Sequence, residues 1–218
     1  MSGGEASASP WYLDVAMGTG DRAMSDLPRV SAILAATGLT PDYSRVPDAK
    51  LEHAAQRGTA VHEAIAALTY GYLDEAELTE EVAVRLGGWR AFLKDSGYQP
   101  IAAEFEVVNE VWAYCGRPDS LGWLLNHRTM VEIKAIDSLV VAPAGWQVAA
   151  YGAAYSAQHP TEPVAALGVV QLKSDGGYKY HEVSASEAEP KWFAACVVFA
   201  AQKEIGRGEI LDLHHRPH

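Results

Sequence analysis

The sequence predicts an α/β fold in which a mixed central sheet is flanked by helices, with a helical element on its N-terminal side. Three observations predict it. Helical periodicity dominates residues 27–95, strand patterning takes over in 101–136, and helix, strand and helix alternate after Pro143. With 218 residues, 49% of them hydrophobic and 21% charged, the chain is long enough to bury a continuous core.

Each element follows from its own pattern. Val30, Ile33 and Leu34 place a short helix within 27–37, stopped by Gly38 and Pro41. A second helical stretch covers 48–70, with an interruption expected near Gly58; its second half carries Val61, Ile65 and Leu68 at helical spacing. A third helix spans 75–95, with Val82, Leu86, Trp89 and Leu93 inward. Residues 101–108 alternate as one strand and 111–114 are β-rich. Residues 121–125 and 129–136 read as a hairpin turning at 126–128. An Ala-rich helix follows Pro143 through Ala157. Residues 164–172 have the composition of a buried strand, and 178–183 pair with it across a turn at 175–177. Ser184 opens a last helix through Ile205. The expected organisation is a flexible N-terminus (1–26) and one domain (27–218). That domain is helical over 27–98 and carries the sheet and its flanking helices over 99–207. The tail with His214, His215 and His218 has no carboxylate scaffold beyond Asp212 and reads as a frayed end.

Composition excludes several classes. No run of 18 or more apolar residues suggests a membrane span. Residues 1–10 are small and polar, unlike a secretory signal. Cys115 and Cys196 are too few for a four-cysteine iron–sulfur cluster or a zinc knuckle, so a reduced, intracellular (cytoplasmic) chain is expected. No G-x-x-x-x-G-K-[ST] segment occurs, so no ATP-driven motor is encoded. A net charge of −11 argues against a protein that coats nucleic acid non-specifically, yet leaves room for a local basic groove beside an acidic metal site.

The chemistry concentrates in Gly116-Arg117-Pro118-Asp119 and Val131-Glu132-Ile133-Lys134. On a strand, Glu132 and Lys134 share one face, while Val131, Ile133 and Ala135 face the core. A carboxylate and an ammonium two residues apart, with a second carboxylate on a neighbouring strand, form a divalent metal site with a positioned cation. Carboxylate oxygens suit Mg²⁺, and the lysine can orient or deprotonate a water and offset charge on a phosphate. Taken alone, an E-x-K triplet more often marks a salt bridge on a solvated sheet face, and the case rests on the flanks.

The flanks carry a family pattern. Arg57-Gly58-Thr59-Ala60-Val61-His62 places a Gly-Thr ahead of a His on a helix. Glu104 precedes Val107 on a strand. Gly116 precedes Asp119 by three. Gln147 and Tyr151 stand four apart on the helix after Lys134. In this order the segment resembles the RecB-like and Cas4-like branch of the PD-(D/E)XK nucleases, which includes small phage-type exonucleases. The resemblance spans about 60% of the chain, roughly residues 27–155.

It implies a restriction-endonuclease-like core and a Mg²⁺-dependent deoxyribonuclease, with Mn²⁺ able to substitute, acting on DNA in recombination, repair or phage DNA processing. By the same resemblance His62, Asp119, Glu132 and the Ile133 carbonyl hold a metal, and Lys134 is the catalytic lysine. Glu104, or Glu106 on the same expected strand face, reaches a second ion. Gln147 and Tyr151 contact substrate backbone or brace the site. Arg57 and Arg117, flanking the motifs, are the expected phosphate contacts among Arg57, Arg85, Arg90, Lys94 and Arg117. Trp146, beside Gln147, is a stacking candidate, with Trp11, Tyr12 and Trp112 behind it. An exonuclease is favoured. A structure-selective endonuclease, a non-catalytic DNA-end or partner-binding module, and a hydrolase of other phosphoesters stay open, as does a protein partner or homo-oligomer.

Overall fold

A computed structural model describes residues 26–207. The chain forms α1 (Val30–Ala36), α2 (Asp48–Tyr70), a 3-10 turn (Glu75–Glu77) and α3 (Glu80–Ser96). Then come β1 (Gln99–Ala103), β2 (Val107–Asn109), β3 (Tyr114–Gly116), β4 (Ser120–Leu124) and β5 (His127–Lys134). The order closes with α4 (Val141–Gln158), β6 (Ala166–Leu172), β7 (Tyr178–Val183) and α5 (Ala185–Arg207). Apart from Asp26, the expected flexible N-terminus, including Trp11 and Tyr12, lies outside the described residues. So does the His-rich tail. Among the described residues no helix is long and apolar enough to cross a membrane.

Five strands form one mixed sheet in the order β1-β4-β5-β6-β7, and β2 and β3 form a separate hairpin. Only the β5–β6 pairing is parallel, as the crossover through α4 requires. Leu125 (φ 49) and Asn126 (φ 65) make the two-residue turn between β4 and β5, both left-handed as a hairpin turn of that length demands. The alternation along β5 splits its side chains between two cores. Met130 packs with Leu121, Leu167 and Val169 under α1, α4 and α5. Val131 and Ile133 pack with Val170, Leu172, Trp89 and Phe92 under α2 and α3. Glu132 and Lys134 therefore belong to the α4 side of the sheet.

Four sequence expectations change. The second helix is continuous across Gly58; one glycine costs a helix interior about 1 kcal/mol, and the buried Val61 and Ile65 face offsets it. The third helix begins only at Glu80, because the Thr79 hydroxyl accepts the Val82 N–H at 3.4 Å and Glu80 and Glu81 fill its first turn. The single strand expected over 101–108 is two strands, broken where Glu104 adopts a left-handed conformation (φ 51). Residues 111–113 form the β2–β3 turn instead of a strand, closed by the Trp112 N–H donating to Asn109 Oδ1 at 3.0 Å.

Candidate functional site

Three elements meet at the edge of the sheet. His62 projects from the middle of α2, Glu104 from the break after β1, and Asp119 from the residue before β4. His62 Nδ1 lies 3.1 Å from Glu104 Oε1 and 3.1 Å from Asp119 Oδ1, and ligand atoms of all three residues fall within 4.8 Å of one another. The left-handed turn at Glu104 achieves this. It ends β1, sends the carboxylate towards His62, and leaves the Glu104 N–H donating to the Asp119 carbonyl at 3.4 Å. The Tyr70 hydroxyl, later on α2, donates to the Ala103 carbonyl at 2.8 Å and accepts its N–H at 3.1 Å, pinning the chain just ahead of Glu104. On the other side, the buried Tyr98 hydroxyl bonds Ser120 Oγ at 3.0 Å, next to Asp119.

The second half of the site is a hydrogen-bonded chain. Lys134 Nζ donates to Glu132 Oε1 at 2.6 Å and to Gln147 Oε1 at 3.1 Å, and Gln147 Nε2 donates to the Tyr151 hydroxyl at 3.0 Å. The two halves join at Asp119, whose Oδ2 accepts the Ile133 N–H at 2.6 Å. The N–H and C=O of one strand residue face the same side, so the Ile133 carbonyl also faces the Asp119 side, beyond the end of β4. Gly116 is explained here: a Cβ at that position would lie 2.3 Å from the Tyr151 ring.

Electrostatics follow the geometry. Burial alone would lower the His62 pKa, but Asp119 and Glu104 more than offset it and hold the imidazole well above its ordinary value. Burial opposes ionisation of Asp119, yet His62, Lys134 and the Ile133 N–H keep its carboxyl below the usual range. Glu132 goes the other way: burial, then the neighbouring Asp119 charge, pushes it up despite Lys134. Burial likewise raises the Tyr151 hydroxyl, with the Glu132 and Asp119 charges adding to it.

The structure thus brings together His62, Glu104 and Asp119, and beside them Glu132, Lys134, Gln147 and Tyr151. Glu104 and Glu106 do not share a strand face, because the chain between them is not extended. Glu106 stands outside the group, facing Arg117 at 3.9 Å. Glu132 is not on a solvated face: its side chain is 1% exposed. Arg57 does not face the site freely; it pairs with Glu81 at 3.2 Å, and that carboxylate also takes Arg85 at 3.3 Å. Arg85 is buried, and Arg90 pairs with Glu75 at 2.6 Å. Arg117 is half exposed beside the triangle. Trp112 stacks on Phe193, and Trp146 is partly buried against the core. Sequence reasoning missed Tyr70 and Tyr98, which brace the chain beside Glu104 and Asp119. Neither belongs to a local motif.

The donor set fits a divalent ion. Three carboxyl groups, those of Glu104, Asp119 and Glu132, crowd one imidazole and one ammonium. Glu132 Oε2 is buried without a hydrogen-bond partner, and two carboxylate oxygens converge on one ring nitrogen that can donate a single proton. A hard cation taking oxygen and imidazole ligands answers both demands.

No family model matches the chain, and no curated protein matches its sequence. Solved structures do match it. A protein from Eubacterium rectale, provisionally named an exonuclease, aligns over 86% of this chain and 80% of its own, at 12% identity and a TM-score of 0.50. The fold is exonuclease-like. LHK-Exo, solved in complex with dAMP, aligns over 83% of this chain and 91% of its own at 14% identity, but its TM-score of 0.34 is too low to argue from. What the exonuclease-like fold contributes is the frame: a mixed sheet in which the end of β1, the start of β4 and α2 converge on one acidic site.

Proposed function

We propose that the protein is a divalent-metal-dependent nuclease that hydrolyses DNA phosphodiester bonds, working from strand ends, in the manner of the RecB-like and Cas4-like PD-(D/E)XK enzymes its motifs resemble. The observation that carries this reading is the convergence of His62, Glu104 and Asp119 beside the Glu132–Lys134 pair. In this reading His62, Glu104 and Asp119 hold Mg²⁺ or Mn²⁺, with Glu132 Oε2 and the Ile133 carbonyl as further ligands. A bound ion supplies Lewis-acid polarisation of the scissile phosphate and acidifies the attacking water.

The chain's own residues do the rest. Lys134 Nζ, fixed by Glu132 and Gln147, presents its remaining N–H to the attacking water or to a non-bridging phosphate oxygen and offsets charge as it develops. Gln147 is a positioning residue: its amide carbonyl accepts one ammonium N–H while its own N–H donates to the Tyr151 hydroxyl, so the ammonium points in one direction. Asp119, accepting from the Ile133 N–H, keeps β5 in register with the triangle. Arg117 meets phosphate at the mouth.

The test is cleavage of end-labelled linear and circular DNA, single- and double-stranded, with Mg²⁺, Mn²⁺ or EDTA. Metal-dependent loss of linear DNA alone is the expected result. Cutting of circles would make the protein an endonuclease. Silence on every substrate with both metals would leave a DNA-end or partner-binding module in place of the enzyme.

A further inference from the structure

Beside the triangle, the edge of the sheet is closed by a side chain. β1 is an outer strand, so one side of its backbone has no neighbouring strand among the described residues. Ala103 pairs with Ser120, and the ladder bond next to that pair runs from the Glu104 N–H to the Asp119 carbonyl at 3.4 Å. The alternation of an antiparallel ladder then turns the N–H and C=O of Ala103 outward, away from β4. One atom satisfies both. The Tyr70 hydroxyl donates to the Ala103 carbonyl at 2.8 Å and accepts the Ala103 N–H at 3.1 Å, as a further strand would.

The residue after Ala103 gives those bonds a consequence. Glu104 has φ 51, in the left-handed region that side chains disfavour. Relaxation to extended backbone would continue β1 and carry the carboxylate off the His62 side. Three contacts oppose it. The ladder bond to Asp119 is long, at 3.4 Å. The His62 contact is made by the ring nitrogen on which the carboxylates converge, so a bound ion takes its place. The Tyr70 bonds involve no ligand atom and persist whether the site is filled or empty. Tyr70 is also the last residue of α2, about 12 Å along the axis from His62, and the helix stops beside it at Gly71 (φ 77). One rigid element therefore places two candidate ligands, His62 directly and Glu104 through Ala103.

We propose that Tyr70 is the positioning residue for the metal ligand Glu104, an inference that rests on the metal-dependent reading above. Its hydroxyl stands in for a neighbouring strand and holds Ala103 where the left-handed turn of Glu104 begins. It thereby sets the affinity for the ion while touching neither ion nor DNA. Asp119 is fixed separately, by the Ile133 N–H, so the effect of Tyr70 passes through Glu104 alone.

The experiment titrates Mn²⁺ and Mg²⁺ by calorimetry, without DNA, into wild type, Tyr70→Phe, Glu104→Ala and the double variant. Tyr70 is 43% exposed, and phenylalanine keeps the ring stacked beside Tyr72, with centroids 6.4 Å apart and planes within 4°. Tyr70→Phe therefore keeps the fold, and melting curves check that. It is expected to weaken ion binding about 10-fold, to raise the Mg²⁺ needed for half-maximal cleavage by the same factor, and to leave the rate at saturating metal unchanged. In the Glu104→Ala background the same substitution should cost nothing further, because the residue it acts through is gone. Amide exchange at Ala103 should quicken in Tyr70→Phe with and without metal. Unchanged ion affinity in Tyr70→Phe, or an equal loss in the Glu104→Ala background, overturns the role, as does a wild type that binds neither ion. Metal-dependent cleavage indifferent to Tyr70→Phe leaves the nuclease reading standing without it. Ion binding that depends on Tyr70 through Glu104, with no cleavage of any DNA, upholds the positioning role and removes the nuclease reading.

Discussion

His62, Glu104 and Asp119 reach the site from α2, the break after β1 and the loop before β4, whereas Glu132, Lys134, Gln147 and Tyr151 come from one strand and the helix that follows it. The first group gathers like charges around a single imidazole. The second pairs complementary groups, ammonium to carboxylate, ammonium to amide carbonyl, amide N–H to hydroxyl. One half crowds acceptors around a single ring nitrogen, and the other is already internally paired. Metal affinity and turnover should therefore be separable by substitution, with Asp119, which touches both halves, as the exception.

The largest effect is expected at that junction. Asp119→Ala should lower the rate of DNA cleavage by about 1,000-fold or more and abolish the rise in melting temperature on adding Mg²⁺. Lys134→Ala should separate the halves, costing about 100- to 10,000-fold in turnover while keeping the Mg²⁺-induced stabilisation. That stabilisation amounts to about 2.7 kcal/mol at 100 times the dissociation constant and is read by calorimetry. His62→Ala should do the converse, raising the Mg²⁺ concentration needed for half-maximal rate by about 10-fold or more. If Lys134→Ala and His62→Ala respond identically to Mg²⁺, the division into two halves is wrong.

A smaller effect sharpens the contrast. Glu132→Gln removes a buried carboxyl whose ionisation burial and Asp119 both disfavour, while its amide oxygen still accepts from Lys134. In EDTA this variant should melt about 2–4 °C above wild type, the equivalent of ~1 kcal/mol, and Mg²⁺ should stabilise it less. A lower melting temperature would show that the metal-free carboxylate is not under strain. The smallest effect concerns phosphate contacts. Arg117→Ala should reduce the salt dependence of DNA binding by about one unit of slope, and Arg57→Ala, already committed to Glu81, should leave the slope unchanged.

How much of this was legible depended on distance along the chain. The period of two on β5 and the spacing of four on α4 are local facts, so Glu132 with Lys134 and Gln147 with Tyr151 were readable as pairs. The two-residue turn at Leu125 and Asn126, shifted one position from expectation, shows the same local legibility. Glu104 was ambiguous against Glu106 because a glutamate with positive φ has no local signature; the bond from its N–H to the Asp119 carbonyl, the Tyr70 brace and the His62 contact hold the turn. The engagement of Arg57 and Arg85 with Glu81 depends on how α3 packs on α2, which the spacing of charges along either helix does not reveal. The near-complete burial of Glu132 was not legible, because nothing in the strand pattern says that α4 will cover that face.

The contact between Gly116 and Tyr151 constrains the order in which this site can change. No side chain larger than hydrogen fits at 116 while a tyrosine ring occupies the space beside it. Position 151 must shrink before position 116 can grow, and shrinking it first removes the hydroxyl that steadies Gln147. Substitutions at the two positions are thus strongly epistatic: a library varying 116 alone returns only glycine, and the paths leading away from this pair all begin at the tyrosine.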